Sequence, residues 1–443
     1  MQNVQFADVG RAGNEMEFVN AGSWDVDLFV ELVNTGTYVE HRNSWPPMVP
    51  ASRPFTLSSV AVMDPTASSI DDSAIARLLT SGEDRDFELY KLLLRMALSD
   101  NTLPSLAIRF GISALALLHL RRSSEASRFQ VKALSALSQS INCELGTEER
   151  LKTIAASMLL NIYEIVSGTA SSMSWTIFFC GCKTISKMVY GHDESYEGDL
   201  ATLLDWVFYH DVLYKFSIRH WTQRVEEQRQ LAKEPKMSSK EIYSPLRNII
   251  LPSLGCSLEL LDTLTLVIDA VLDRDDPSYL SDEHQQSMMA LEMRLQNIRQ
   301  ECRIGDLSET QTQRDRSRDI AELWRLSALI YLETVARGSP KTSPKSSKWI
   351  QDAFQILESL GVCERPFPLF VIAVGTCTDE QRAVVLRVVK RTMEERPLGA
   401  VSSVTRMVEK AWVQDDLHTG QELDSLVKYN VVISANATPP AFT

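Results

Sequence analysis

Hydrophobic positions recur with a helical period along most of this chain. Between residues 86 and 98, Phe87, Tyr90, Leu94 and Leu98 fall at i, i+3, i+7 and i+11, one face of an α-helix. Pro104 suits the first turn of the next helix, which runs to about residue 120, because a missing N–H costs nothing there. The same spacing predicts helices over 124–143, 147–166, 173–190, 200–232, 255–272, 282–303, 316–337, 348–360, 378–395 and 401–415. In the last but one, Thr378 followed by Asp379 and Glu380 reads as an N-cap with acidic residues in the first turn. Sustained β-branched alternation is scarce, Asn-Gly and Asp-Gly hairpin signals are missing, and no fixed period of a solenoid repeats. The expectation is an all-α fold: one large domain, a bundle of about a dozen helices.

The pattern changes at the ends. Residues 1–70 carry a proline cluster (Pro46, Pro47, Pro50, Pro54) and a serine-rich patch from Ser58 to Ser69, and read as a poorly structured leader. Inside it, Trp24 to Leu32 interleaves acidic and aromatic residues, and Arg11 and Arg42 are the only basic groups of the first 50 positions. The organisation expected is therefore a leader over 1–70, a helical domain over 71–430 and a tail over 431–443. One internal segment, 338–348, has a composition that argues against helix and strand alike. It reads either as a solvated connector or as a proline-directed phosphorylation loop at Ser339 and Ser343, whose added charge would meet three nearby lysines.

Composition narrows the function. Of 443 residues 44% are hydrophobic and 23% charged, enough for a sizeable core. The net charge of −13 works against contact with nucleic acid, which needs a basic face to displace counterions. The seven cysteines (143, 180, 182, 256, 302, 363 and 377) form no C-x2-C pair and mostly sit in apolar runs, as in a reducing compartment. No signal peptide is read, and the longest apolar run, 105–120, is broken by Arg109 and is short for a bilayer. The nucleophile elbow, phosphate loop, dinucleotide fingerprint and HExxH motifs are all missing, and His119, His210 and His220 suggest no ligand set. No catalytic, cofactor-binding or metal-ligating residue is therefore assigned, and no cofactor is expected.

Several phrases, taken in order, carry a resemblance. They are Leu115 to Leu120; Met158 to Gly168, with Tyr163-Glu164; Ser174-Trp175 followed by Cys180-Gly181-Cys182; and Leu203 to Leu213, an aromatic helix ending in Asp211. Leu254-Gly255-Cys256, Ala328 to Leu332, Phe367 to Gly375 with Thr378 to Arg382, and Val408 to Trp412 follow. Together they resemble the fungal-specific transcription factor domain, the regulatory region that follows binuclear zinc clusters in many ascomycete regulators. Phe178 stands where that family usually has a histidine, so any role of that histidine is lost.

The resemblance implies an all-helical regulatory domain in the nucleus, with possible shuttling to the cytoplasm. It also implies a DNA reader of six closely spaced cysteines N-terminal to it. Here the first cysteine is Cys143, so no such cluster can form, and the basic linker and heptads are also missing. Met1 is present, and the expectation is a zinc-less regulator that makes no DNA contact and no membrane contact and acts through protein partners. Those are a zinc-cluster transcription factor or a coactivator, or a second copy in a homodimer. Trichothecene-type regulators of secondary-metabolite clusters are one analogous case. Trp24 to Leu32 then reads as an activation segment or as a short helix packed on the bundle.

Two other classes stay open. A class I terpene synthase-like enzyme would use Asp273-Arg274-Asp275-Asp276 for magnesium, although the spacing is not DDxxD and Pro277 follows at once. A small-molecule sensor would enclose an apolar effector among Phe178, Trp206, Phe208 and Tyr209. Trp175, Trp206 and Trp412 are read as core anchors, Cys180 and Cys182 as core, and Asp205 and Asp211 either as partners for Lys215 or Arg219 or as surface residues.

Overall fold

In the computed structural model the described residues are 88–141, 146–167, 174–189, 198–221, 247–303, 310–395, 399–418 and 423–443. Among them are fourteen α-helices and no strand; two isolated β-bridges, Ile249 with Glu301 and Leu251 with Cys256, are the nearest thing to a sheet. The leader with Trp24 to Leu32, Phe87, Cys143, the Trp175 side chain and the extension of one helix to residue 232 lie outside the described residues.

The first group comprises α1 (Glu88–Leu98), α2 (Leu103–His119), α3 (Ser123–Ile141), α4 (Thr147–Ser167) and α5 (Ser174–Val189). α2 packs against α3 and α4, and α4 against α5. A Cβ on Gly111 of α2 would stand 3.1 Å from Cβ of Leu159, so the missing side chain lets α2 and α4 approach closely.

α6 (Gly198–Trp221) joins this group to the rest. Every residue from Leu203 to Tyr214 is buried, and the helix touches α1, α4 and α5 as well as the later α7 (Leu258–Asp269) and α14 (Ser425–Ser434). A helix apolar around most of its circumference must sit inside the bundle, and this one does.

The second group continues with α8 (Asp282–Asn297) and α9 (Gln311–Tyr331), capped by a reciprocal Thr310–Gln313 box. α10 (Pro344–Leu360), α11 (Pro366–Val374), α12 (Asp379–Glu395) and α13 (Gly399–Leu417) complete it before α14. All of α11 is buried, wrapped by α9, α10 and α13. One apolar cluster runs through both groups. The Thr378 cap is present: its Oγ1 accepts from the Gln381 N–H, and Gln381 Oε1 accepts back from the Thr378 amide, both at 3.3 Å.

Five details differ from the sequence reading. The segment 338–348 is not free of helix, because α10 starts at Pro344, with Ser343 as its cap accepting from the Ser346 N–H. Proline at the first helical position loses no bond and arrives with its φ preset, which outweighs the loop-like composition. Two of the three lysines there are already engaged: Lys341 with Asp415 at 3.0 Å and Lys345 with Glu292 at 2.7 Å. α11 is a helix of its own where the sequence pattern predicts no element. Its prolines at 366 and 368 fall in the first turn, where helical N–H groups have no partner.

The tail expected from 431 begins inside α14, which runs across that position, and Phe442 is buried against Phe216 (4.8 Å between ring centroids) and Phe370 (5.2 Å). Leu98, placed on the buried face of α1, is exposed, while Leu89, Leu92, Leu93 and Ala97 are inside. The helix predicted to end at 337 turns instead into a π-helical turn, Leu332–Ala336. The carbonyls of Val335 and Ala336 accept from the Arg274 guanidinium, which is also clamped by both oxygens of Asp424, the cap of α14.

Candidate functional site

Two buried polar centres stand out, and each draws residues from elements far apart in sequence. The first surrounds His220 near the end of α6. Its Nδ1 lies 2.8 Å from Asn430 Oδ1 and its Nε2 lies 2.7 Å from the Tyr331 hydroxyl. An amide oxygen can only accept, so Nδ1–H donates to Asn430, and Nε2 then accepts from the Tyr331 O–H. Burial pushes the imidazole down to about 3, so it stays neutral and this tautomer is held. Burial likewise raises the Tyr331 hydroxyl, which keeps its proton and remains a donor. Phe216 fits edge-on against Phe367 (4.9 Å), His220 (5.2 Å) and Tyr331 (5.3 Å) and closes the centre.

The second centre surrounds Arg365, the residue just before α11. It is only 9% exposed. Its Nη1 donates to the Tyr209 hydroxyl at 3.3 Å, and its Nη2 to the carbonyls of Pro252 (3.3 Å) and Ser253 (3.1 Å). The guanidinium also lies 5.8 Å from the Tyr209 ring. Its Nε–H has no partner, and neither has the buried Trp324 Nε1–H, whose ring meets Tyr209 edge-on at 6.0 Å and stacks on Phe367 at 5.3 Å. No carboxylate lies within ion-pair distance of Arg365 among the described residues. Next to Tyr209, His210 is fully buried, and burial together with the Arg365 charge holds it at about 3. Its Nδ1 lies 3.4 Å from the Asn161 amide of α4.

A small cleft of about 20 Å³, room for about one water, adjoins Arg365. Leu323 from α9, Leu360 from the end of α10 and Val362 form apolar walls, with Ile320, Arg316 and Glu364 also lining it. Gly255 packs against Arg365 with φ +74°, a conformation that disfavours any side chain. A Cβ there would stand 2.9 Å from Arg365 Nε and 3.1 Å from Ile320 Cγ2.

The remaining sequence-predicted residues are accounted for as follows. Phe178, Trp206, Phe208 and Tyr209 are all buried in the apolar core. Trp412 is an anchor, with its Nε1–H donating to the Ala373 carbonyl at 2.9 Å. Asp211 pairs with neither Lys215 nor Arg219 but with Lys183 at 2.9 Å; Lys215 reaches Asp269 and Arg219 reaches Asp273. Lys215 and Arg219 sit one and two turns beyond Asp211 along α6 and reach the end of α7 and the residues just after it. Asp205 has a buried Oδ1 without partner, and burial pushes its carboxyl up to about 7.

The Asp273–Asp276 stretch is tied into ion pairs and turns: Asp273 to Arg219, Arg274 to Asp424, and Asp276 Oδ1 accepting from the Ser278 amide. Among the described residues no group of three or more His, Cys, Asp or Glu side chains is placed to share a metal ion. Cys180 and Cys182 are both buried, and burial raises the Cys182 thiol far above its ordinary value, so it acts as an apolar side chain. No described helix is long and apolar enough to cross a membrane. Ser339 and Ser343 are half-buried, the first donating its amide to Glu333 O and the second capping α10.

The phrases that carried the resemblance meet in these centres. Met158–Gly168 supplies Asn161 to His210 of Leu203–Leu213; Tyr209 of that helix meets Arg365 beside Leu254–Cys256; and Val408–Trp412 anchors on Phe367–Gly375. Order along the chain is thus matched by contact in space. The model of the fungal specific transcription factor domain matches residues 73–430. The chain belongs to this family. It is also 29% identical over 374 residues to "Transcription factor iacI" of Pestalotiopsis fici (strain W106-1 / CGMCC3.15140), covering 83% of this chain and 92% of that protein. No solved structure matches the chain. Membership of the fungal transcription factor family makes the protein a transcriptional regulator and not an enzyme, so the terpene synthase reading falls. The family's conserved phrases did not point to Arg365; the available signal was a lone basic residue opening a run, Pro366 to Val374, that is otherwise wholly apolar.

Proposed function

We propose that this regulator acts in the nucleus on a secondary-metabolite or other pathway-specific gene set. It does so through a protein partner, a zinc-cluster transcription factor or a coactivator, and not by contacting DNA itself. The observation that carries this reading is the cysteine map. The first cysteine of the sequence is Cys143, and of the others, Cys180, Cys182, Cys256 and Cys363 are buried singly in the bundle. A binuclear zinc cluster needs six thiolates at close spacing, and a chain of net charge −13 has no excess of cations to replace it. Membership of the family supports the regulatory role, and the name of the relative agrees with it.

The test combines chromatin immunoprecipitation with gel shift. The expected result is chromatin occupancy that disappears when the zinc-cluster partner is deleted, and no sequence-specific shift of the same promoter by purified protein. A specific shift by the purified chain alone would sink the partner reading. The leader enters here as the activating segment, Trp24 to Leu32. Removing residues 1–40 from a promoter-tethered chain is expected to abolish reporter activation; unchanged activation would refute that role.

A further inference from the structure

We propose that the groove between α13 and α14 docks the chain's own acidic segment Trp24 to Leu32, which lies outside the described residues. The regulatory consequence, that docking covers the segment, rests on its reading as the activating segment; the docking itself does not.

The surface left uncovered by the bundle comes first. α13 and α14 run in opposite directions: Asp415 pairs with Lys428 near the connection 418–424, and Arg406 and Ala435 line the far end of the groove. The groove measures about 480 Å³. Val413 and Val431 stand on its two sides, 56% and 40% exposed. One turn towards the connection, Leu417 (74%) and Val427 (51%) continue the stripe. The core does not use this face, because α13 buries Val404, Val408 and Trp412 and α14 buries Tyr429 and Ile433. A surface helix normally turns polar residues outward, so a second apolar stripe on two adjacent helices points to an occupant.

Charge selects the occupant. Beside the apolar stripe the groove carries Arg406 and Lys410 against Glu409, all exposed, and neither cation makes an ion pair among the described residues. In a chain of net charge −13 this local surplus of positive charge favours an acidic partner. The segment Trp24 to Leu32 carries Asp25, Asp27 and Glu31, and no Lys or Arg occurs between Arg11 and Arg42. Read as a short helix, it puts Trp24, Leu28 and Leu32 in one row at i, i+4 and i+8, flanked by the three acids. Val427, Val431 and Ala435 have the same spacing on α14, and each row is about 12 Å long at a rise of about 1.5 Å per residue. The 55 residues between Leu32 and Glu88, at about 3.3 Å each, are enough to reach any face of the bundle. Tethering on this scale gives a local concentration that reaches the millimolar order, so even a weak contact is populated.

The test measures fluorescence anisotropy of a labelled peptide, residues 20–36, with the purified full chain and with its Trp24→Ala/Leu28→Ala/Leu32→Ala variant. The variant is expected to bind the peptide at least about ten-fold more tightly than the wild type, whose own segment competes. Adding Val431→Glu to the variant is expected to abolish binding; Val413→Glu serves where V431E does not fold. Arg406→Glu with Lys410→Glu is expected to weaken binding several-fold. Equal binding to wild type and variant would overturn the proposal, as would absence of binding or binding unaffected by V431E and V413E. A dimer in light scattering that V431E dissociates, with no peptide bound, would overturn it in favour of a second copy. Reporter activation is read separately: unchanged activation on removing residues 1–40 refutes the activating role and leaves docking standing, whereas failed docking leaves that role standing.

Discussion

The His220 and Arg365 centres share α6, α9 and α11 yet differ in how their polar groups are satisfied. Both are buried, both use a tyrosine hydroxyl, and Phe367 lies beside each, against Phe216 on one side and Trp324 on the other. Around His220 both ring nitrogens are paired, and the imidazole is held neutral, so nothing charged is buried. Around Arg365 a permanent charge is buried, and two donors, Arg365 Nε and Trp324 Nε1, lack acceptors. A satisfied polar network specifies packing, whereas an incomplete one costs stability and is retained for another reason. The first is therefore a fastener of the fold, and the second holds a charge that its neutral partners do not compensate.

The largest effect should come from the fastener. Phe216 is fully buried at the hub of the His220 centre, and Phe216→Ala should lower stability by about 4 kcal/mol in urea unfolding. A loss under about 1 kcal/mol would show that the aromatic cluster is not cooperative.

His220→Leu comes next. It leaves the Tyr331 hydroxyl and Asn430 oxygen unpaired in the core and should cost about 2–3 kcal/mol at pH 7. The same residue sets a pH dependence. Its folded pKa, about 3, lies below the unfolded value near 6.5, so its contribution is complete above 6.5 and is lost as the pH falls towards 3. His210 acts in the same direction. The wild type should therefore destabilise across that window, and H220L should show a shallower slope. An unchanged slope would mean that His220 is not held neutral.

Asp205 should show the opposite sign. Its folded pKa, about 7, lies above the unfolded value of 3.8, so stability on its account is greatest below 3.8 and falls as the pH rises through 7. Asp205→Asn should stabilise the protein at pH 8, by about 1–2 kcal/mol, with the gain vanishing below pH 4. Destabilisation at pH 8 would reveal that the carboxylate is needed as an ion.

The smallest effect tests the other half of the comparison. Arg365→Met gives up three hydrogen bonds to neutral groups but also relieves an uncompensated buried charge, so stability should change by no more than about 1 kcal/mol. A loss as large as that of H220L would make both centres fasteners.

How far the sequence could lead is clearest helix by helix. Helices with a polar face were legible, as with α12, expected over 378–395 and found over Asp379–Glu395, because only such a face leaves a 3.6-residue period. α11 was not, since Pro366 to Val374 is apolar throughout and has no period to read. α14 was missed for a related reason: β-branched Val427, Val431, Val432 and Ile433 favour no isolated helix, and packing on α6 and α13 decides it. The π-helical turn at Leu332–Ala336 has no sequence signal; its carbonyls are satisfied by Arg274, which lies about sixty positions upstream.

By itself, then, the sequence determined the helical class, most helices, the family and the missing cysteine cluster, because these depend on local periodicity and on residue types at fixed spacing. Only the tertiary structure decided which polar groups share a centre. Arg365 and His220 are both single polar residues in apolar surroundings when read along the chain. What separates them is whether Asn430, Tyr331 or a carboxylate arrives in space, and partners contributed by distant helices leave no pattern in local sequence.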